Sequence, residues 1–215
     1  MNEAEKPKRR YNSTLRKAQA YETRMQILEA ARKLFIQNGY SGATIEAIAQ
    51  EAGVASETIF AGFGNKRTIL THLIRVAVGG DDRPIPLLQR SGPQTVLHEH
   101  NPARQLYLFA RDITGILERI APIIEIMRMA AKTEPDIAGM LKRLLTERYD
   151  NLGLFVQNLS SRGGLREGLD LSQATDIVWT ITSPEVFHLL TIDRGWSRER
   201  YSDWLSNVLT RLLLP

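Results

Sequence analysis

An all-α chain, with a small helical head near its N-terminus and a larger helical body after it, is predicted by three observations. Apolar residues recur at three- and four-residue intervals from Ile27 to Leu213, the period of one helix face. No stretch alternates apolar and polar residues as a half-buried strand would. From Asp81 to Pro102 the periodicity lapses around Ile85, which prolines bracket, and around Ser91-Gly92, as expected of a joint. The expected divisions are a basic arm over 1–15, a head over 16–80 and a body over 81–215.

The first helix is expected from Leu15 to Gln37, with Ile27, Leu28, Ala31, Leu34 and Phe35 on one face and Asn38-Gly39 as its stop. Thr44 stands where a helix N-cap belongs, before Ile45, Ile48 and Ala49, and Gly53 ends that short helix one residue before Val54. A second short helix carries Thr58, Ile59 and Phe60. A fourth begins near Asn65-Lys66, buries Ile69, Leu70, Leu73, Ile74 and Ala77, and stops at Gly79-Gly80. In the joint, at most one turn of helix is expected around Gln94 to His98.

The body continues with a stripe of Leu106, Phe109, Ile113, Ile116, Leu117 and Ile120, which Pro122 should interrupt before Ile123, Ile124, Met127 and Met129. A longer stripe from Ile137 to Leu159 ends at Gly163-Gly164. Asp170 or Ser172 should cap one helix bearing Ile177, Val178, Ile181, Phe187 and Leu190. Ser197 should cap a last one bearing Tyr201, Trp204, Leu205, Val208, Leu209 and Leu212.

Composition narrows the class. The chain has 215 residues, 43% hydrophobic and 24% charged, which suits a soluble protein with room for a sizeable core. No apolar run approaches the roughly 20 residues that span a bilayer, and the basic start lacks the apolar stretch of a secretory signal, so a cytoplasmic location is expected. There is no cysteine, which excludes disulfides and thiolate metal sites. The net charge of +4 is unevenly placed: from Met1 to Arg75 there are 12 Lys+Arg against 7 Asp+Glu, and beyond it 16 against 17. A basic head and a near-neutral body suit a chain whose N-terminal third meets a polyanion. The arm cations Lys6, Lys8, Arg9 and Arg10 are the first candidates for phosphate contacts.

The stretch from Thr44 to Lys66, TIEAIAQEAGVASETIFAGFGNK, carries most of the functional information. A helix-turn-helix needs a small residue where its helices cross, a glycine able to take positive φ in the turn, and apolar residues that set the crossing angle. Ala49, Gly53 and the set Ile48, Val54 and Ile59 fall at those intervals. The second helix would then expose Ser56, Glu57, Phe60 and Ala61 to a major groove wide enough to admit it.

From Ile27 to Leu70, with AARKLFIQNGYSGATIEAIAQEAGVASETIFAGFGNKRTIL at its centre, the sequence resembles the DNA-binding domain of the TetR family of transcriptional regulators. The C-terminal TSPEVFHLLTIDRGWSRERYSDWL resembles that family's dimerisation region more loosely. The resemblance implies a three-helix DNA-binding head, a fourth helix linking it to an α-helical ligand-binding and dimerisation body, and a homodimer on a palindromic double-stranded operator. By position, it makes Thr44 the cap beside a phosphate, Ser56, Glu57 and Thr58 the start of the recognition helix, Phe60 the aromatic against the DNA backbone, and Lys66 a phosphate-contacting lysine. Ala55, Phe60 and Gly62 depart from the family's usual serine, tyrosine, and aromatic or histidine. Phe60 has no hydroxyl to donate to a phosphate, and Ser56 is expected to cap in place of Ala55.

The apolar residues of the body have two readings, plain core or the wall of a pocket for a small, mostly apolar effector. The pocket candidates are Phe109, Ile113, Met127, Met140, Leu144, Phe155 and Trp179. The dimer candidates are Ile177, Ile181, Phe187, Tyr201, Leu205, Val208, Leu209 and Leu212. No metal or cofactor is expected, since His98-Glu99-His100 lacks the spacing of a helical zinc pair. No enzymatic activity is expected either, since neither a Ser/His/Asp set nor a Gly-rich phosphate loop can be assembled. Besides a ligand-responsive repressor, a ligand-independent architectural DNA binder fits the same head.

Overall fold

The computed structural model describes residues 11–163 and 165–215, and the arm residues Lys6, Lys8, Arg9 and Arg10 lie outside them. Ten α-helices, and no strand, are found among the described residues: α1 Tyr11–Gly42, α2 Ile45–Ala52, α3 Ser56–Phe63, α4 Lys66–Gly79, α5 Ser91–His98, α6 Pro102–Ala130, α7 Pro135–Ser160, α8 Leu171–Ile181, α9 Pro184–His188 and α10 Arg198–Leu213. No described helix is long and apolar enough to cross a membrane. The chain divides into two compact units between Ile69 and Leu70, inside α4 and ahead of its terminal glycines. From Leu70 onward α4 belongs to the second unit, where Arg119 Nε donates to the Ala77 carbonyl at 2.8 Å and Arg90 Nη1 to that of Gly79 at 2.5 Å.

In the first unit Ile27, Leu28, Ala31 and Phe35 of α1 are buried together with Ile48, Ala49, Ile59 and Phe63 of the two short helices. The expected stop at Asn38-Gly39 is visible as a kink, where Gly39 takes φ 70° inside α1. In the second unit α6 is the spine, and α5, α7, α9 and α10 all pack on it.

Three expectations about the body need correction. Pro122 does not end a helix, because α6 runs through it from Pro102 to Ala130. A proline inside a helix costs about 3 kcal/mol, whereas Leu117 and Ile120 before it and Ile123, Ile124 and Met127 after it are all buried, at ~1.5–3 kcal/mol each. Pro184, by contrast, splits the helix expected from Asp170 to Leu190 into α8 and α9. Thr182 and Ser183 offer the backbone other partners there: Thr182 Oγ1 donates to the Val178 carbonyl at 2.7 Å, and Ser183 Oγ accepts from the Val186 N–H at 3.2 Å. The joint is also more ordered than expected, with a 3₁₀ turn at Leu87–Gln89 and two turns of helix in α5. Pro93 falls in the first turn of α5, where backbone N–H groups have no intrahelical acceptor to lose.

The expected dimer face is also redistributed. Tyr201, Leu205 and Leu209 are fully buried within the protomer, and Phe187 nearly so, with its ring edge-on to Tyr201 at 4.9 Å between centroids. These four belong to the core that α10 and α9 make with α6. Ile177, Ile181, Val208 and Leu212 are half-buried and keep a free edge.

Candidate nucleic-acid interface and ligand cavity

The turn between α2 and α3 is built by three local interactions. Thr44, with extended backbone, places Oγ1 to accept the Ala47 N–H at 3.1 Å and so caps α2. Gly53 takes φ 68°, a region costly for residues with a Cβ. A Cβ there would meet nothing within 4 Å, so backbone conformation and not space selects glycine. The Val54 N–H then returns to the Ala49 carbonyl at 3.0 Å and closes the end of α2. Thr44→Ala should remove the cap bond alone and lower the stability of the head by about 1 kcal/mol, read as a lower urea midpoint at unchanged slope. An unchanged midpoint would mean that solvent serves that N–H equally well.

α3 buries Ile59 and Phe63 and turns Glu57, Thr58, Phe60, Ala61 and Gly62 outward, with Phe60 49% exposed. Gly62 leaves open space beside it. Ser56 does not cap α3 as expected. The cap position is Ala55, whose extended backbone precedes the helix and whose side chain bonds nothing, while Ser56 is already helical and half-buried. Lys66 opens α4 with its ammonium donating to the Tyr40 carbonyl at 2.7 Å and lying 4.3 Å from the Tyr40 ring centroid. Arg24 lies over the Phe63 ring at 4.6 Å. Thr44, Glu57, Thr58 and Phe60 are thus exposed, and Ser56 and Lys66 half-buried.

The second unit holds a cavity of about 640 Å³, within the range of small-molecule sites. Its walls are mainly aliphatic: Ile74 and Val78 from α4, Ile85 and Leu88 from the joint, Ile113, Ile116, Leu117, Ile120 and Ile124 from α6, and Leu144 and Leu152 from α7. Of the seven residues expected to line a pocket, Ile113 and Leu144 line this cavity. Phe109 and Phe155 are stacked on each other at 4.0 Å and Met127 is fully buried, so all three are core. Met140 is half-buried elsewhere on α7, and Trp179 lines a separate, shallower groove beside Leu141 and Leu145.

The residue that periodicity missed is Arg148. It lines the cavity, and its Nη2 donates to the Trp179 carbonyl and to Thr182 Oγ1, both at 2.8 Å. Burial lowers its pKa to about 10, still charged at neutral pH. A sequence signal existed: Leu144, Arg148 and Leu152 are spaced by four, so a cation occupies a position in an apolar register.

Residues 27–73 match the family model of bacterial regulatory proteins, tetR family. The chain is 27% identical over 166 residues to the uncharacterized HTH-type transcriptional regulator YdeS of Bacillus subtilis (strain 168), covering 73% of this chain and 74% of the other. It is 31% identical over 142 residues to the HTH-type transcriptional repressor BepR of Brucella suis biovar 1 (strain 1330), covering 65% and 66%. Its fold is similar to the crystal structure of the transcriptional regulator FadR from Bacillus subtilis in complex with stearoyl-CoA, with a TM-score of 0.68 at 21% identity over 86% of this chain and 96% of that one. With a capped helix, a positive-φ glycine turn and a second short helix set as a helix-turn-helix, and with relatives that are regulators and not enzymes, this DNA-binding chain belongs to the TetR family of transcriptional regulators.

Proposed function

We propose that the protein is a ligand-responsive repressor, a cytoplasmic homodimer that holds a palindromic operator and is released when a small, mostly apolar effector fills the body cavity. The observation that carries this reading is the course of α4. Its first residue, Lys66, belongs to the head unit, and two and three turns later Ile74 and Val78 form part of the cavity wall. A ligand pressing on those side chains acts on the helix that leads into the head, and a small tilt would change the spacing of two recognition helices that must sit about 34–36 Å apart. BepR is a repressor by name, and the FadR crystal carries an acyl-CoA; both support the reading by analogy.

In this reading Ser56, Glu57, Thr58 and Phe60 enter the major groove, Thr44 and Lys66 sit beside phosphates, and Lys6, Lys8, Arg9 and Arg10 of the arm add counterion release. The partner face is the half-exposed edge formed by Ile177, Ile181, Val208 and Leu212.

The test is linkage. An apolar compound that raises the melting temperature in a thermal-shift screen is titrated into the protein with and without saturating operator, the operator having been selected from random duplexes. Operator should weaken the compound's affinity by about 5- to 150-fold, the same factor by which the compound weakens operator binding. Equal affinities would leave the cavity without a regulatory role and favour the architectural DNA binder.

A further inference from the structure

We infer that the effector is an amphiphile with a carboxylate at one end, received by Arg148, and an apolar body lying along the aliphatic wall of α6. The inference rests on the reading of this cavity as the effector site. It begins with the inequality among the three arginines that line the cavity. Arg90 is consumed by the fold, bonding the carbonyls of Gly79, Arg83 and Ile85 and the carboxylate of Asp81. Arg75 pairs with Asp82 at 3.6 Å and bonds His72. Arg148 alone is held by neutral groups, the Trp179 carbonyl and Thr182 Oγ1, and both bonds come from one nitrogen, Nη2.

Among the described residues Nε and Nη1 of Arg148 meet no protein acceptor within hydrogen-bond distance, and neither is sealed from the cavity as an orphaned buried atom. The nearby Glu185 is ion-paired with Arg128. Glu147 and Asp150, the acidic residues that α7 adds to the lining, are exposed. A guanidinium in an aliphatic cavity, with donors left over and no carboxylate bonded to it, is a receptor for a single anionic group. The carboxylate is the anion that also suits the rest of the site, because the walls offer Ile113, Ile116, Leu117 and Ile120 to a hydrocarbon, while beside the engaged Arg75 and Arg90 the further side-chain donors of the lining are the neutral Thr71, Gln89 and Asn151.

A merely structural Arg148 has a definite alternative signature. Its bonds to Trp179 and Thr182 tie α7 to the end of α8, so its loss would disturb every cavity ligand equally. The experiment is isothermal titration of the full-length protein with dodecanoate and with dodecanol, both below their micelle concentrations, followed by the same pair on Arg148→Gln and Arg148→Lys.

Dodecanoate should bind the wild type on the order of ten- to a hundredfold more tightly than dodecanol, the value of a charge-assisted bond. The preference should vanish in Arg148→Gln and persist in part in Arg148→Lys. Should Arg148→Gln fail to fold, the wild-type comparison and the lysine variant still decide. Equal affinity of the two compounds for the wild type, or an equal loss of both in Arg148→Gln, overturns the inference and leaves the cavity's regulatory role intact. If neither compound binds, the inference falls, and the repressor reading is decided by the linkage test. A clear preference for dodecanoate with no effect on operator affinity, measured in parallel, keeps Arg148 as the carboxylate receptor but overturns the claim that its ligand is an effector.

Discussion

Leu209→Glu should unfold the body, not merely separate two protomers. Leu209 is fully buried on α10, on the face that α10 packs against α6. The substitution removes a buried leucine, at ~2–5 kcal/mol for the truncation alone, and brings in a carboxylate where no basic residue is among the fully buried ones of the described residues. Since a whole domain is stable by only about 5–15 kcal/mol, circular dichroism should show a lost or strongly lowered thermal transition and size exclusion should show aggregate. Val208, its neighbour in sequence, is half-buried and keeps an edge free. Val208→Glu should therefore leave the fold intact and act on the proposed partner face, giving folded monomers with weak operator affinity. If Leu209→Glu instead ran as a well-folded monomer with a wild-type melting temperature, the packing of α10 on α6 would be wrong and the interface would include its buried face.

Leu144→Trp should abolish the response to effector while sparing DNA binding. Leu144 stands on α7 at the cavity wall, one turn before Arg148, and an indole there can extend into open volume. Overpacking a filled core costs about 1–3 kcal/mol, but a cavity of about 640 Å³ accepts the ring, so the melting temperature should hold or rise. Effector affinity should fall on the order of a hundredfold, about 2.8 kcal/mol. Operator affinity should be unchanged, because the head is untouched. Leu144→Met, which nearly conserves volume, serves as the control and should bind effector normally. Effector affinity that survives the tryptophan would place the ligand elsewhere, with the shallower groove beside Trp179 as the next location to examine.

The head was legible in the sequence because its signals are local. The Thr44 cap, the positive-φ Gly53 and the buried pair Ile48 and Ile59 each follow from a residue and its neighbours within a few positions. The helix start at Ser197, and the one expected at Asp170 or Ser172 and found at Asp170, were legible for the same reason, since a side-chain oxygen three residues ahead of an N–H needs no tertiary partner. Ser56 was misread because a cap is defined by backbone conformation as well as by side chain, and the extended residue turned out to be Ala55.

What the amino-acid order by itself determined, then, is the all-α class, the period of each helix and the chemistry of the helix-turn-helix. How the apolar faces are shared between core, cavity and surface depends on which helices pack against which. Periodicity marks the side of a helix that avoids water but is blind to what stands opposite. Phe109 was therefore indistinguishable from Ile113 until Phe155 stacked on the former and left the latter facing a void. Leu209 and Val208 separated only once α6 covered one of them. The fates of Pro122 and Pro184 were settled in the same way, one carried by buried side chains on both sides and the other released to hydroxyls that bonded the backbone first. A charge such as Arg148 could be read as an anomaly in the α7 stripe, but that it meets a cavity depends on long-range packing, which the local pattern does not encode.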